Sequence, residues 1–221
     1  MCGRYLLAAP LEALATQFQA VMDAPFPPRY NLAPTSSVPV VKAVPGGRSI
    51  TLHHWGLIPS WAKDPALGGR MANARGETVA DKPSFRSPFR HRRCLIPATG
   101  FYEWQARAEG GKQPFLIRPV PGELLAFAGL WDRWEGPGGP LESCTIITTA
   151  ANTFMAPVHD RMPVLLAPDD YALWLDPACQ DLARLQALLR PCPDGYLRMT
   201  AVGPRVGNVR NEGPDLMEPL P

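Results

Sequence analysis

The stretch SVPVVKAVPGGRSITLHHW, residues 37–55, decides how the chain folds. Two runs rich in β-branched residues, SVPVVKAV and RSITLHHW, flank Pro45-Gly46-Gly47. Such runs favour the pleated backbone, and Pro followed by Gly suits a tight turn, so a β-hairpin is predicted. The same reasoning extends outward. QPFLIRP (113–119) and ELLAFAGLW (123–131) flank a second turn at Pro121-Gly122, and ESCTIITTA (142–150) is a β run ending near Asn152. Helical spacing is confined to the start and the last third. It appears in PLEALATQFQAV, where Leu11, Leu14, Ala15 and Phe18 share a face, and in PDDYALWL, with acidic residues in its first turn. CQDLARLQALLR adds Leu182, Leu185 and Leu189, and the tail beyond Gly203 reads as loop. The expected fold class is α+β: one domain over residues 2–221, with a largely antiparallel, barrel-like β core and a few peripheral helices.

Composition narrows the function classes. The chain has 221 residues, 46% of them apolar, enough for a real core. No uninterrupted apolar run approaches the roughly 20 residues of a membrane helix, and no basic segment precedes an apolar one at the start. Five cysteines (2, 94, 144, 179 and 192) form no CxxC pair. An odd, scattered set argues against a disulfide framework and a zinc site, so reduced thiols and a cytoplasmic location are expected. Net charge is only +2, yet residues 70–93 carry seven Lys/Arg against Glu77 and Asp81, with Phe85 and Phe89 among them. Cations interleaved with rings suit a single nucleic-acid strand, and equally a solvated loop with two anchoring phenylalanines.

MCGRY opens the chain. Removal of Met1 would leave Cys2 with an α-amine and a thiol on adjacent carbons. An α-amine has a pKa of about 7.7–8.0, so a useful fraction is nucleophilic at neutral pH. It can attack an aldehyde to give an imine, and the thiol can then close a thiazolidine; an internal cysteine, whose nitrogen is an amide, cannot. Further along, an extended NARGET would point Asn73, Arg75 and Glu77 to one side. Glu103 stands between Tyr102 and Trp104, and a carboxylate among aromatics has a raised pKa suited to proton transfer. His159, Asp160 and Arg161 follow a strand. His53 and His54 would point to opposite faces and lack a third ligand. Each of these residues also has an ordinary structural or surface reading.

Taken together, MCGRY, RYNLAPT, WGLIPSWAKD, NARGET, GFYEWQ, HDRMP and VGNVRN, in this order from Cys2 to about Glu212, resemble the SOS response-associated peptidase (SRAP) family. The resemblance implies capture of abasic sites in single-stranded DNA, with the ring-opened sugar aldehyde as electrophile. Cys2 would supply amine and thiol, Glu103 would shuttle protons, His159 would help open the sugar, and Asn73 would hold sugar and N-terminus. DNA contacts would come from Arg4, Arg75 and Arg161, with Arg29, Arg86 and Thr148 in support. Trp61 and Phe85 would stack or wedge, and Pro34 would shape the channel floor. SWAKD holds Trp61 alone where the family pattern has two tryptophans, which implies a smaller stacking platform. The resemblance further implies a monomer that needs no cofactor or metal, acts at the nucleoid, and has at most weak lyase activity; peptidase action is not expected. Two other readings of the same residues stay open. One is an amidohydrolase that uses Cys2 on an amide, and the other is a reader that binds single strands or modified bases without reacting.

Overall fold

The hairpin expected at residues 37–55 forms, and it builds one wall of a barrel. The computed structural model describes residues 2–22, 25–120, 122 and 124–220. Strands among these residues are β1 (Tyr5–Leu7), β2 (Val21–Met22), β3 (Arg29–Leu32), β4 (Ser37–Val44), β5 (Gly47–Trp55), β6 (Asn73–Arg75) and β7 (Arg93–Ala98). They continue with β8 (Gly100–Ala106), β9 (Lys112–Pro119), β10 (Leu125–Gly136), β11 (Gly139–Ala150), β12 (Arg161–Pro163) and β13 (Leu197–Ala201). Four short helices surround them: α1 (Leu11–Phe18), α2 (Arg86–His91), α3 (Tyr171–Leu175) and α4 (Leu182–Ala187). In the β4–β5 turn, Val44 faces Gly47, so Pro45 and Gly46 are the central residues. Gly46 has φ +84°, the left-handed value a type II turn requires after Pro.

Strands β5, β4, β7, β10 and β11 pair in that order, and β11 returns to β5 to close a five-stranded barrel. The other pairs in the ring are antiparallel; the closing pair is parallel and short, matching Ser143 with His54 and Cys144 with Trp55. Side-chain and loop contacts extend that seam. The Gly56 N–H donates to Cys144 O at 2.9 Å, the Ile58 N–H to Ser143 Oγ at 2.8 Å, and the Trp55 indole N–H to Ala72 O at 2.9 Å. Gly56 adopts φ +138°, and a Cβ there would lie 2.6 Å from the Gly68 carbonyl oxygen. No larger residue fits that crossing of two backbones.

A second, five-stranded sheet runs β13-β9-β8-β1-β3 and is antiparallel throughout. Barrel strand β7 passes into β8 of this sheet through Thr99, whose N–H donates to Leu6 O at 2.8 Å. The two sheets share one core: the ring of Tyr5 on β1 meets Trp55 and Phe127 of the barrel edge-on, at 5.2 and 5.7 Å between centroids. The α+β single-domain architecture with a barrel core is therefore as expected. Among the described residues no helix is long and apolar enough to cross a membrane.

Several local expectations are corrected. The strands flanking Pro121-Gly122 belong to different sheets, and Pro121 itself lies outside the described residues. NARGET is extended only over Asn73–Arg75, and Gly76–Thr78 turns as a 3-10 helix that carries Glu77 off the strand. The segment beyond Gly203 contains two short 3-10 turns, Pro204–Gly207 and Pro214–Met217. The basic–aromatic segment splits between surface and core. Arg70, Arg75, Lys82, Arg86 and Arg90 are exposed, whereas Phe89 is buried under Trp174 and offers no ring to a strand.

Arg93 is also interior. Its guanidinium donates to the carbonyls of Trp174 (2.7 Å), Phe89 (2.7 Å) and Arg90 (2.6 Å), and to that of Asp176. One cation thus satisfies chain ends at α2 and α3 that would otherwise be orphaned. Arg93→Ala should cost roughly 3 kcal/mol, because several buried carbonyls lose their donor together. Urea unfolding should show a lower midpoint with little change in slope.

Candidate active site

Cys2 is fully buried just before β1, beside the first residues of β8. The antiparallel register pairs Tyr5 with Phe101, and the Tyr102 N–H donates to Arg4 O at 2.9 Å. Continuing this register one step brings Glu103 across from Gly3, next to Cys2. Glu103 is only 4% exposed. The third side of the site comes from β6, which lies parallel to β11 and carries Asn73 opposite Ile146. The Asn73 side-chain amide donates to Cys2 O at 2.9 Å, while its Oδ1 is buried without a hydrogen-bond partner among the described residues. The fourth side is the loop ahead of β12. It is tied by the Asn152 side chain, which accepts from the Met155 N–H at 2.9 Å, and by Gln105 of β8, which donates to Pro157 O at 3.0 Å. His159 stands at the end of this loop. Its Nδ1 accepts from the Arg161 N–H at 2.9 Å, which leaves the proton of the neutral ring on Nε2. The same Nδ1 lies 2.8 Å from Asp160 Oδ1.

Electrostatics ties these groups into one cluster. Burial pushes the Cys2 thiol far up, and the Glu103 charge pushes it further; the Arg4 N–H at the sulfur pulls partly back. Burial likewise raises the Glu103 carboxyl, against the opposing pull of His159. Cys2, Asn73, Glu103 and His159, far apart in sequence, are therefore brought together at the junction of the two sheets. Met1 lies outside the described residues.

The residues expected to contact DNA fall into three groups. Trp61 (58% exposed), Arg75 and Arg86 are open to solvent. Trp61 borders a cleft of about 480 Å³ with Lys63, Leu67 and Arg70. A second group is already engaged. Arg4 donates through Nη1 to Asn31 Oδ1 (2.9 Å) and Val206 O (2.7 Å) and lies over the Trp104 ring. Arg29 pairs with Glu212 at 3.0 Å, and Arg161 forms a bidentate pair with Glu77 at 2.6 and 2.9 Å. The third group is interior or partly so. Thr148 is wholly buried, with its hydroxyl donating to Ala74 O at 3.4 Å, so it reaches a ligand only through Arg161. Phe85 is half-buried against the core, and Pro34 is half-buried beside Thr35, whose φ is +75°.

Sequence reasoning missed Asn31 and the partnership of Glu77 with Arg161. Asn31 is 2% exposed and its amide donates to the carbonyls of Val206, Asn208 and Asn211, pinning the late VGNVRN loop next to Arg4. Its only signal was its position within RYNLAPT, because contacts to a loop some 175 residues away leave no periodicity.

Glu103 also sets a stability prediction. An acid whose folded pKa is raised contributes least at high pH: the unfolded chain loses its proton first, so stability falls as pH rises toward the folded value. Glu103→Gln should therefore melt higher than wild type at pH 7, by about 2–4 °C per kcal/mol relieved. The gap should close near pH 4, where both side chains are neutral. Thermal melts followed by circular dichroism at the two pH values test this.

Comparison with known proteins places this geometry. Residues 1–209 match the sequence model of the SOS response associated peptidase (SRAP) family. The chain is 40% identical to "Abasic site processing protein YoqW" of Bacillus subtilis (strain 168), across 99% of both chains. It is 35% identical to "Abasic site processing protein HMCES" of Gallus gallus, over 87% of this chain and 66% of that one. A crystal structure of a Bacteroides thetaiotaomicron protein superposes with TM-score 0.90 at 24% identity, covering 99% of this chain and all of that one, which shows the shared fold. One from Bordetella bronchiseptica gives 0.81 at 26% identity, over 91% of this chain and all of that one. With the family match spanning nearly the whole chain, this protein belongs to the SRAP family.

Proposed function

We propose that this protein processes abasic sites in single-stranded DNA by covalent capture on Cys2. The observation that carries the reading is the burial of Cys2 against Glu103, with the Cys2 carbonyl held by Asn73. The names of the relatives point to the same class of substrate. Once Met1 is removed, the α-amine attacks the aldehyde of the ring-opened sugar, and loss of water gives an imine. The S–H then adds across C=N: sulfur bonds to carbon, the proton passes to nitrogen, and a thiazolidine closes. Burial keeps the thiol protonated at neutral pH, so the amine strikes first and the thiol needs a base when it closes the ring. Glu103, itself raised by burial, accepts and returns that proton. His159 protonates the sugar oxygen as the ring opens, and the buried Asn73 Oδ1 is available to the amine or a sugar hydroxyl.

Strand contacts follow exposure. Arg75 and Arg86 pair with phosphates, which is sequence-neutral, and Trp61 stacks on a base beside the lesion. Ring closure competes with β-elimination from the imine, so a stable crosslink dominates over strand cleavage.

The test is denaturing gel electrophoresis after mixing the protein, shown by intact mass to lack Met1, with a strand carrying one abasic site. A heat-stable protein–DNA band is expected, absent for Cys2→Ala and for undamaged DNA. Glu103→Gln should slow its formation by about 10²–10⁴-fold. If trimmed wild-type protein gives no band, the proposal fails. Hydrolysis of glutamine would then favour the amidohydrolase reading, and salt-sensitive binding alone the passive reader.

A further inference from the structure

Arg161 is the most constrained cation beside the site. Its Nη1 and Nη2 donate in parallel to the two carboxylate oxygens of Glu77, at 2.6 and 2.9 Å, and Nη2 also donates to Thr148 O at 2.8 Å. The Arg161 side chain is only 14% exposed, while that of Glu77 is 50% exposed. The carboxylate thus lies on the solvent side of the guanidinium, where a strand would approach. A bidentate carboxylate occupies the same fork of N–H donors that a phosphate would use. Arg161 also follows His159 by two residues, and its backbone N–H holds the His159 ring. The Glu77 carboxyl is held below its usual range, first by the hydrogen bond from Arg161, with Arg75 contributing, so it is ionised at neutral pH. Near the nucleophile, two cations are therefore offset by one fixed anion.

We infer that Glu77 is a built-in competitor for the phosphate fork of Arg161, an anionic gate that weakens the grip on undamaged single strands and leaves retention to the covalent step. This rests on the single-strand reading above. A strand phosphate binds Arg161 only by displacing the carboxylate, which then turns out to solvent from its 3-10 turn. Non-covalent affinity is thereby kept low, and a strand without an aldehyde leaves quickly. Glu77 touches no reacting atom and is a positioning and specificity residue that acts through Arg161.

The experiment measures fluorescence anisotropy of a labelled, undamaged oligothymidylate with wild type, Glu77→Gln and Glu77→Ala, across a salt series. Because the strand has no abasic site, Cys2 chemistry plays no part. Both variants should bind about three- to tenfold more tightly at low salt. Their salt dependence should steepen by about 0.7 in log–log slope, the value of one extra phosphate contact on a single strand. In an Arg161→Ala background the gain from Glu77→Gln should vanish. Equal or weaker binding by both variants overturns the inference, whether they melt like wild type or well below it; Glu77 would then only prop Arg161. The crosslinking gel on an abasic strand, run with the same proteins, separates the failures. A normal wild-type crosslink without a Glu77 effect sinks the gate alone. Neither crosslink nor binding by any of the proteins sinks the single-strand reading, and the gate with it.

Discussion

The structure depends on a two-residue parallel pairing. Among the described residues, the strand pairing between the last barrel strand and the hairpin that begins the barrel is limited to Ser143 with His54 and Cys144 with Trp55. So short a ladder contributes little alone, and its strength comes from what surrounds it. The loop after Trp55 sends two backbone N–H groups into β11, the Trp55 indole reaches Ala72, and Gly56 lets the chain cross within van der Waals reach of Gly68. Closure removes two sheet edges and makes an interior that a single sheet could not enclose. It also places β6 on the same edge of β11, just beyond the β5 pairing, and β6 carries Asn73 to the Cys2 carbonyl.

The site lies where the barrel meets the second sheet, and this location explains its electrostatics. A cysteine and a glutamate placed on one open sheet would both face water. Here each is covered by the other sheet, so desolvation favours their neutral forms. The cost of burying Glu103 is borne by the fold as a whole, which has more than fifty other buried side chains to offset it. At the opposite extreme, His53 is buried with Lys42 and Glu142 beside it and is pushed down to about 4. Its sequence partner His54, on the other face of β5, plays no part in that cluster. Adjacent identical residues thus end in unrelated environments because a strand alternates.

Much of this was legible locally. The hairpin, the long strands and the helical faces followed from residue pattern and turn chemistry. The raised Glu103 carboxyl comes from burial at the sheet junction, whereas its sequence neighbours Tyr102 and Trp104 pack on the other face of β8 with Leu6 and Leu116. The four candidate site residues could be named from their chemistry and from motif order, and the fold brings them together. Illegible were the features set by distant pairing. Nothing in SITLHHW or ESCTIIT says that these runs meet in parallel. Nothing in RSPFRHRR separates Arg86 and Arg90, which face water, from Arg93, which ends among carbonyls of α2 and α3. A basic count treats them alike, whereas the chain direction after α2 turns one of them inward. Glu77 was expected beside Arg75 on one extended face; the 3-10 turn at Gly76 gave it Arg161 instead.

The site draws on residues 2, 73, 103 and 159, and this order along the chain bears on synthesis. Cys2 is made at the very start, whereas Glu103 follows near the middle of the chain and His159 only in its last third. β1 cannot be covered until β8 exists, nor the seam closed until β11 does. An incomplete chain therefore holds Cys2 without the neighbours that bury it. The environment of Cys2 is thus a property of the completed tertiary structure, assembled only when both sheets have closed around it.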